Sequence, residues 1–262
     1  MHRWDPKVYE KSSSAQQRWA EELLSKISIR GDEQILDIGC GDGKITAEIA
    51  LLVPGGSVTG IDNSQEMLSF ARDRFPPSAW PNLVFQYGDA SDLQYEDKFD
   101  LVLSFAALHW VHDHGPVLEG IRRSLKKGGK VLMQFGGRGN ASGMLEVAEE
   151  VISLEKWCRY FEAFRFPYSF FGPDEYRTWL DRSGLLALRV ELVAKDMVQR
   201  GREGLISWMK ATWLPYTERV PEDLKTDFIC EVVDRYLRDH PLDEEGNAHL
   251  GMVRLEVEAE KS

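Results

Sequence analysis

Residues 34–44 read QILDIGCGDGK, and the rest of the chain can be organised around this stretch. The apolar run Gln34–Ile38 predicts a short buried strand, which a turn containing three alternate glycines then ends. Lys44–Leu52 follows helical spacing until Pro54-Gly55-Gly56 stops the helix. A strand, a glycine turn and a helix are the opening of a βαβ unit.

The same alternation of strand and helix continues along the chain. An amphipathic helix over Ala15–Ile29 precedes the first strand. Further strands are predicted at Ser57–Ile61, Leu83–Tyr87, Leu101–Phe105 and Lys130–Phe135, and further helices at Gln65–Phe75 and Val117–Leu125. Strands that alternate with helices predict a parallel, doubly wound α/β sheet.

The pattern changes after Gly136. The sequence predicts a helical stretch over Met144–Phe164, an aromatic turn over Phe166–Pro173, a helix over Pro173–Ser183, a strand over Ala187–Val193 and a helical insert from Glu203 to about Arg238. Met252–Ala259 alternates apolar and charged residues, as a half-exposed edge strand would. We therefore predict a single domain, residues 1–262, with a ligand-binding core at 35–135 and cap or substrate insertions at 139–183 and 198–245.

Composition and charge exclude several classes of protein. The 262 residues are 43% hydrophobic and carry a formal net charge of −11, so a nucleic-acid backbone would be repelled. Cys40, Cys158 and Cys230 are widely spaced, which argues against a disulfide framework or a zinc knuckle and favours a reducing compartment. No run approaches the roughly 18 apolar residues of a membrane span. We expect a cytoplasmic protein that binds neither nucleic acid nor membrane.

The glycine turn points to a ligand at the carboxyl ends of the strands, where open α/β sheets keep their sites. A dinucleotide fingerprint, Gly-x-Gly-x-x-Gly, is not matched, because Lys44 stands where the third glycine belongs. Asp37 and Asp42 flank the turn and would repel a pyrophosphate. A cationic or zwitterionic ligand suits them better, while a tight turn with no ligand remains the alternative.

Two further aspartates follow the next strands. Asp62 ends the second strand, where a carboxylate can accept both hydroxyls of a ribose. Asp89 follows the third strand, where a carboxylate can accept from the exocyclic amine of an adenine. Each aspartate taken alone is more often a turn or capping residue, and Asp62 with Asn63-Ser64 could cap the next helix. Together they favour a nucleoside ligand.

The ensemble of Ile35–Gly43, Gly60-Ile61-Asp62, Gly88-Asp89-Ala90 and Phe99–Val102 resembles the class I S-adenosylmethionine-dependent methyltransferases. The resemblance implies a Rossmann-like, doubly wound seven-stranded sheet with a reversed last strand, helical cap insertions, and S-adenosylmethionine across the strand ends with Asp37 near its methionine moiety. The cofactor-binding residues that it implies are Asp37, Gly39, Cys40, Gly41, Gly43, Asp62, Asn63, Met67, Asp89, Ala90 and Ser104.

A narrower resemblance concerns the acceptor. Tyr9, Lys11, Ser12 and Gln16, together with Ala107–Val111, look like the trans-aconitate and juvenile hormone acid methyltransferases, which esterify carboxylic acids. The resemblance implies that Gln16 and Trp110 hold the acceptor carboxylate. His109 beside Trp110 has three interpretations: a donor to the acceptor, a general base for an alcohol or amine, or a polar residue packed at a strand end. The sequence favours the last two over the first.

The sequence thus predicts a small-molecule methyltransferase, with O-methylation of a carboxylic acid favoured. An N- or C-methyltransferase and a catalytically silent S-adenosylmethionine-binding partner protein are the alternatives. An RNA methyltransferase is disfavoured, because Ser104–Ala107 replaces the Asn-Pro-Pro-aromatic signature of many base-modifying relatives. His109, His112 and His114 lack the spacing of a metal-binding motif, so we expect no metal.

Overall fold

The computed structural model describes residues 14–262, apart from the side chains of Ser14 and Gln16. Contacts between residues divide this part of the chain into two units. The sheet unit comprises residues 14–138, 168–193 and 254–262. The helical unit comprises residues 139–167 and 194–253.

Strands and helices have the following bounds. The strands are β1 (Gln34–Ile38), β2 (Ser57–Asp62), β3 (Leu83–Tyr87), β4 (Phe99–Phe105), β5 (Leu125–Gly136), β6 (Leu185–Arg200) and β7 (Asn247–Lys261). The helices are α1 (Ser14–Leu24), α2 (Lys44–Leu52), α3 (Gln65–Arg74), α4 (His114–Ser124), α5 (Ser142–Ser153), α6 (Glu155–Cys158), α7 (Pro173–Ser183), α8 (Gly201–Thr212), α9 (Leu214–Thr217) and α10 (Lys225–Asp239). Short 3₁₀ turns cover Leu108–Trp110 and Glu222–Leu224.

The strands form one seven-stranded sheet in the order β3-β2-β1-β4-β5-β7-β6. Strands β1 to β5 pair in parallel, and β7 runs antiparallel to β5. The predicted Rossmann-like fold with a reversed last strand is confirmed. The chain leaves β1 toward β2 and β3 and returns to β4 on the other side of β1. The carboxyl ends of β1 and β4 therefore flank the switch point at which such sheets bind ligands.

Each face of the sheet carries its own apolar layer. One layer joins the strands to the first three helices through buried residues that include Leu23, Ile49, Leu68 and Leu103. The other layer joins them to α4 and α7 through residues that include Val117, Ile121, Tyr176 and Leu180. Packing on both faces fixes the strand ends, because buried parallel strands cannot slide without exposing apolar side chains.

The prediction of a half-exposed edge strand near the C-terminus is wrong. Strand β7 lies between β5 and β6, and Arg254 and Glu256 are only 3% and 0% exposed. The Glu256 carboxylate accepts from Gln134 at 2.9 Å, Arg189 at 2.6 Å and Lys26 at 3.0 Å. Charged residues alternate in this interior strand because the buried carboxylate is neutralised by partners that are distant in sequence.

The insertions also differ in detail from the sequence expectation. The sequence predicts one helical stretch from Glu203 to about Arg238, whereas the structure divides it into α8, α9, a 3₁₀ turn and α10. Prolines stand at the first two of the three boundaries, Pro215 in the first turn of α9 and Pro221 before the 3₁₀ turn. Helix α7, which the sequence assigns to the first insertion, groups with the sheet unit because Tyr176 and Leu180 pack into its core.

Within the helical unit, α10 packs against α5 and α8. Buried aromatic side chains fill the space between these helices, among them Trp157, Phe161, Trp208, Trp213, Tyr216 and Phe228. No helix within residues 14–262 has the length and apolar character needed to cross a membrane.

Candidate active site

The turn between β1 and α2 requires its glycines. Gly39, Gly41 and Gly43 have φ angles of +78°, +53° and +77°, in the left-handed region that side chains disfavour. Space is also limiting, because a Cβ on Gly39 would overlap the Cβ of Ala107. A Cβ on Gly43 would lie 2.6 Å from Cζ of Phe85. The turn thus brings its backbone against Ala107, which follows β4, and against Phe85 of β3, while the space beside Gly41 is open.

Asp37 places a buried carboxyl group beneath this turn. It is 2% exposed, and its Oδ2 accepts from the Thr46 hydroxyl at 2.7 Å. Burial raises the pKa of Asp37 to about 7, the Thr46 hydrogen bond opposes that rise, and the nearby charge of Asp62 adds to it. A positively charged ligand nearby would favour the ionised form of Asp37.

Asp62 connects the end of β2 to the glycine turn. Its Oδ2 accepts from the backbone N–H of Gly41 at 2.9 Å, and its Oδ1 accepts from that of Ser64 at 2.8 Å. Burial raises the pKa of Asp62, while these backbone hydrogen bonds favour its charged form. The residue that caps α3 is Ser64, whose Oγ accepts from the Met67 N–H. Asp62 therefore orders the turn, and each of its oxygens keeps acceptor capacity for a ribose.

The other predicted cofactor residues occupy varied surroundings. Asp89 is exposed, and its Oδ1 accepts from both the N–H and the hydroxyl of Ser91, so it forms the turn after β3. Ala90 packs at the rim of the core, Met67 is buried and Asn63 is exposed. The roles of these residues toward a cofactor stay predictions.

Ser104 and Cys40 are buried components of the strand ends. The Ser104 hydroxyl is fully buried and donates to the Ile38 carbonyl at 2.8 Å, which ties β4 to β1. The Cys40 N–H donates to the Ile61 carbonyl, and burial raises the pKa of its thiol. Both residues support the shape of the switch point. Whether they also touch a ligand stays a prediction.

Two of the three predicted acceptor residues lie just after β4. His109 and Trp110 belong to the 3₁₀ turn Leu108–Trp110, whose first residue is buried in the core. The N–H of Ser169 donates to the His109 carbonyl at 2.8 Å and holds the segment Tyr168–Phe171 beside this turn. Gln16 lies in α1, and its side chain is outside the described part of the structure.

The His109 ring has one defined tautomer. The backbone N–H of Gly136 points at its Nδ1, 3.4 Å away, so Nδ1 is the acceptor and the ring hydrogen resides on Nε2. Burial lowers the pKa of His109 to about 3, and the positive charge of Arg254 adds to the effect. His109 is therefore neutral at physiological pH, where it is a hydrogen-bond donor through Nε2 and a weak base.

Aromatic rings surround these two residues. The centroid of the Trp110 ring lies 4.7 Å from that of Tyr168 in an edge-on arrangement, and Tyr168 stacks on Phe170 at 5.6 Å. His109 lies 5.7 Å from both Trp110 and Tyr168. These half-buried rings cover part of His109 and Trp110, and a less polar surrounding strengthens electrostatic interactions.

Arg254 is a candidate residue that the sequence analysis missed. It lies opposite Gly136 in the β5–β7 pair, and its guanidinium carbon is 4.6 Å from the centroid of the Trp19 ring. Arg254 is 3% exposed, and its positive charge helps to lower the pKa of His109. No local motif marks it, because its position depends on the pairing of β7 with β5.

The neighbouring histidines have separate partners. His112 Nδ1 lies 2.8 Å from the Ser169 hydroxyl. His114 is buried between the Tyr176 hydroxyl, 3.0 Å from Nδ1, and the Leu108 carbonyl, 2.9 Å from Nε2. Within residues 14–262, no cluster of His, Cys, Asp and Glu side chains has the arrangement of a metal site.

Comparison with known proteins agrees with the site geometry. Residues 29–184, which include the whole glycine turn and the 3₁₀ turn after β4, match the model of the methyltransferase domain family. The chain belongs to this methyltransferase family. The match covers every strand from β1 to β5 and all of the predicted cofactor residues.

Relatives of this methyltransferase span most of its length. A trans-aconitate 2-methyltransferase from Deinococcus radiodurans is 31% identical over 221 residues, which cover 83% of each chain. One from Variovorax paradoxus is 27% identical over 98% of each chain. Among solved structures, phosphoethanolamine N-methyltransferase 2 from Haemonchus contortus in complex with S-adenosyl-L-methionine is similar in fold, with a TM-score of 0.62, 19% identity, 98% coverage of this chain and 56% of that one.

The cofactor of this methyltransferase is S-adenosylmethionine. The residues fit it, because buried carboxyl groups beside a close-packed glycine turn suit a ligand that carries sulfonium and ammonium charges. Asp37 and Asp62 are the residues that would hold its positively charged and ribose parts. Bound there, the cofactor supplies an electrophilic methyl group.

The pKa of Asp37 predicts a pH-dependent affinity for S-adenosylmethionine. Asp37 attracts a cation only when ionised, so affinity is expected to rise with pH until about pH 7 and to level off above it. Below that pH the loss approaches about tenfold per pH unit. Calorimetric titration across this range measures the slope. In Asp37→Asn, affinity is expected to be weak and flat with pH; an unchanged slope in that variant would assign the titration to another group.

Proposed function

We propose that this methyltransferase transfers the methyl group to the carboxylate of a small organic acid in the cytoplasm and so forms a methyl ester. The main observation in favour is the neutral His109, which offers a hydrogen-bond donor beside the Trp110 indole N–H. Two neutral donors hold a carboxylate without protonating it. The similarity to trans-aconitate 2-methyltransferases over nearly the whole chain supports the same chemistry.

The low pKa of His109 argues against a basic role. A phenol or amine acceptor must lose a proton, and a group with a pKa of about 3 removes it poorly at neutral pH. A carboxylic acid is already ionised there, since its ordinary pKa is about 4. The site therefore suits an acceptor that requires orientation and charge stabilisation but no base.

Orientation is the main task of the protein in this reaction. The carboxylate oxygen attacks the methyl carbon in line with the departing sulfur, and correct alignment alone can contribute about 7 to 11 kcal/mol. His109 and Trp110 would aim the oxygen. The rings of Tyr168 and Phe170 would keep water from the reacting charges.

The reaction type is tested with methyl-labelled S-adenosylmethionine and a panel of carboxylic acids, amines and phenols. We expect label on an acid, released by mild base because esters hydrolyse readily. Base-stable label would replace this proposal with N-, C- or ether-forming chemistry. Cofactor binding without transfer to any member of the panel would favour a silent binding protein.

Substitution of Trp110 by Phe tests the acceptor site. Loss of one hydrogen bond to a charged group is expected to lower kcat/KM for the acid by roughly 10- to 100-fold, with cofactor affinity unchanged. Trp80→Phe is the matched control, because Trp80 lies before β3 and packs edge-on against Phe75 in the core. Equal kinetic losses in both variants would contradict the assignment of Trp110.

A further inference from the structure

His114 is a buried polar residue of the sheet unit that the proposed function does not use. It is 1% exposed at the first position of α4, and the rings of Phe135, Phe171, Tyr176 and Trp179 lie 4.8 to 6.3 Å from its own. A polar ring in such surroundings costs free energy unless its nitrogens are hydrogen-bonded. The partners of the two nitrogens therefore show what the residue does.

These partners fix the tautomer of His114. Nε2 lies 2.9 Å from the Leu108 carbonyl, which only accepts, so the ring hydrogen resides on Nε2. Nδ1 then accepts from the Tyr176 hydroxyl, 3.0 Å away. Burial lowers the pKa of His114, against the opposing effect of the Leu108 and Val111 carbonyls and of Asp113, so the ring is neutral at neutral pH. His114 thus links α7 to the 3₁₀ turn after β4 by two directed hydrogen bonds.

The Leu108 carbonyl belongs to the turn that carries two of the predicted acceptor residues. Within this turn, the Trp110 N–H donates to the Ala107 carbonyl at 3.1 Å, and the Val111 N–H donates to the Leu108 carbonyl at 2.9 Å. The hydrogen bonds of 3₁₀ turns have poorer geometry than those of α-helices, so such a turn holds its shape less well on its own. The second hydrogen bond on the Leu108 carbonyl, from His114, ties the turn to α4.

The position of this turn decides where His109 and Trp110 point. Both residues follow the Leu108 carbonyl directly in the chain. Alignment of an acceptor with a methyl carbon is so strict that a misplacement of about 1 Å can cost about 100-fold in rate. A hydrogen bond that fixes this carbonyl therefore orders the acceptor site without touching the acceptor.

We propose that His114 is a positioning residue for methyl transfer. Its Nε2–H holds the Leu108 carbonyl, and this contact sets the orientation of the next two residues, His109 and Trp110. The proposal rests on the proposed function for the part that these two residues play. The hydrogen bond of Nε2 has this effect, whereas the hydrogen bond of Nδ1 to Tyr176 contributes to stability.

Three variants separate the two hydrogen bonds. In His114→Gln, the side-chain amide nitrogen can take the position of Nε2, so the bond to Leu108 is kept and that to Tyr176 is lost. In His114→Asn, the shorter side chain reaches only the position of Nδ1, so the bond to Tyr176 is kept and that to Leu108 is lost. Tyr176→Phe removes the Nδ1 bond from its other side and leaves the Nε2 bond in place.

The acceptor kinetics distinguish positioning from stability. We expect kcat/KM for the acceptor to fall roughly 5- to 30-fold in His114→Asn and less than about threefold in His114→Gln and Tyr176→Phe. The affinity for S-adenosylmethionine is expected to change little, because other hydrogen bonds hold Asp62 and the glycine turn. If His114 served stability alone, activity would follow Tm, and His114→Gln would lose as much as His114→Asn. That result would overturn the proposal.

A second readout does not depend on the acceptor. Hydrogen–deuterium exchange of the Trp110 and Val111 amides measures how often the 3₁₀ turn opens. Exchange is expected to be roughly 5- to 30-fold faster in His114→Asn than in wild type and little changed in His114→Gln. Ser124→Ala controls for stability, because it removes a buried hydrogen bond of the same helix, to the Gly120 carbonyl at 2.7 Å. Exchange in this control as fast as in His114→Asn would refute the positioning role.

The outcomes separate this proposal from the proposed function. If an amine or a phenol is methylated and no acid is, the proposed function fails, and the same order of activities with that acceptor still supports the role of His114. If no acceptor is methylated, the exchange rates decide: faster exchange confined to His114→Asn supports that role, and equal rates in all variants contradict it. If His114→Asn does not fold, His114→Met replaces it, because methionine fills an apolar site and offers no donor.

Discussion

Gly39→Ala is expected to weaken the binding of S-adenosylmethionine by about 100-fold or more, equivalent to about 2.7 kcal/mol. The φ angle of Gly39 is +78°, and its new Cβ would overlap the Cβ of Ala107. The left-handed conformation costs an alanine about 1 to 2 kcal/mol, and a forced overlap in a packed region costs about 1 to 3 kcal/mol more. The turn must therefore move.

The displacement of the turn affects both the cofactor-binding residues and the acceptor-binding residues of the site. On one side, the N–H groups of Gly39 and Cys40 donate to the Ile61 carbonyl at 2.8 and 3.0 Å, so a shift of the turn disturbs the position of Asp62. On the other side, Ala107 leads directly into the 3₁₀ turn that carries His109. The acceptor KM is therefore expected to rise together with the cofactor Kd.

A double variant separates the two causes. Gly39→Ala with Ala107→Gly removes the overlap and keeps the left-handed strain, so it is expected to recover the part of the cofactor affinity that the overlap removes. Gly41→Ala is the control for the free energy of unfolding, measured in denaturant. The φ angle of Gly41 is +53°, so an alanine there has the left-handed strain, but nothing lies within 4 Å of a Cβ at this position. Calorimetric titration of S-adenosylmethionine into the single and double variants measures how much affinity each of them loses. Wild-type affinity in Gly39→Ala would show that the turn tolerates a side chain.

The sequence predicts best those elements whose limits depend on nearby residues. Helix α7 begins and ends at the predicted positions, Pro173 and Ser183, because its signals are local. The Gly172 N–H donates to the Glu175 carboxylate at 2.7 Å, and Gly184 ends the helix with a φ of +77°. Such caps can be read from a few adjacent residues.

The burial of strand β7 could not be predicted from its local sequence. Its alternation of apolar and charged residues is typical of an edge strand, yet Glu256 is fully buried. What permits this is the position of Lys26, Gln134 and Arg189, which lie 230, 122 and 67 residues away along the chain. Charge pairing over such separations has no local pattern, so the periodicity alone gives the wrong environment.

The candidate site divides in the same way. Asp37, Gly39 and Asp62 are found from the motif, because the glycine turn and the strand ends are fixed by adjacent sequence. The protonation state of His109 cannot be found from the motif, since its tautomer is set by the N–H of Gly136 and its pKa by burial and Arg254. The sequence therefore leaves three interpretations of His109 open, and the structure favours a neutral donor.

Asp62→Ala is expected to weaken S-adenosylmethionine binding by at least about 100-fold. The substitution removes the acceptor of two backbone hydrogen bonds, from Gly41 at 2.9 Å and Ser64 at 2.8 Å, and the carboxylate predicted to hold the ribose. Hydrogen bonds to a charged group contribute about 1.5 to 3 kcal/mol each, so loss of the ribose pair alone accounts for such an effect. Asp73→Ala, on the exposed face of α3, controls for the change in charge.

A second ligand separates ribose binding from the ordering of the turn. The cofactor analogue that lacks both ribose hydroxyls cannot use Asp62 as an acceptor, so it is expected to bind wild type weakly and to lose little further affinity in Asp62→Ala. If Asp62 acts only by ordering the turn, both ligands lose affinity by the same factor. Calorimetric titration of the two ligands into the two proteins forms a cycle whose coupling energy measures the ribose contribution directly. A coupling near zero would leave Asp62 as a positioning residue for the glycine turn and would require another acceptor for the ribose.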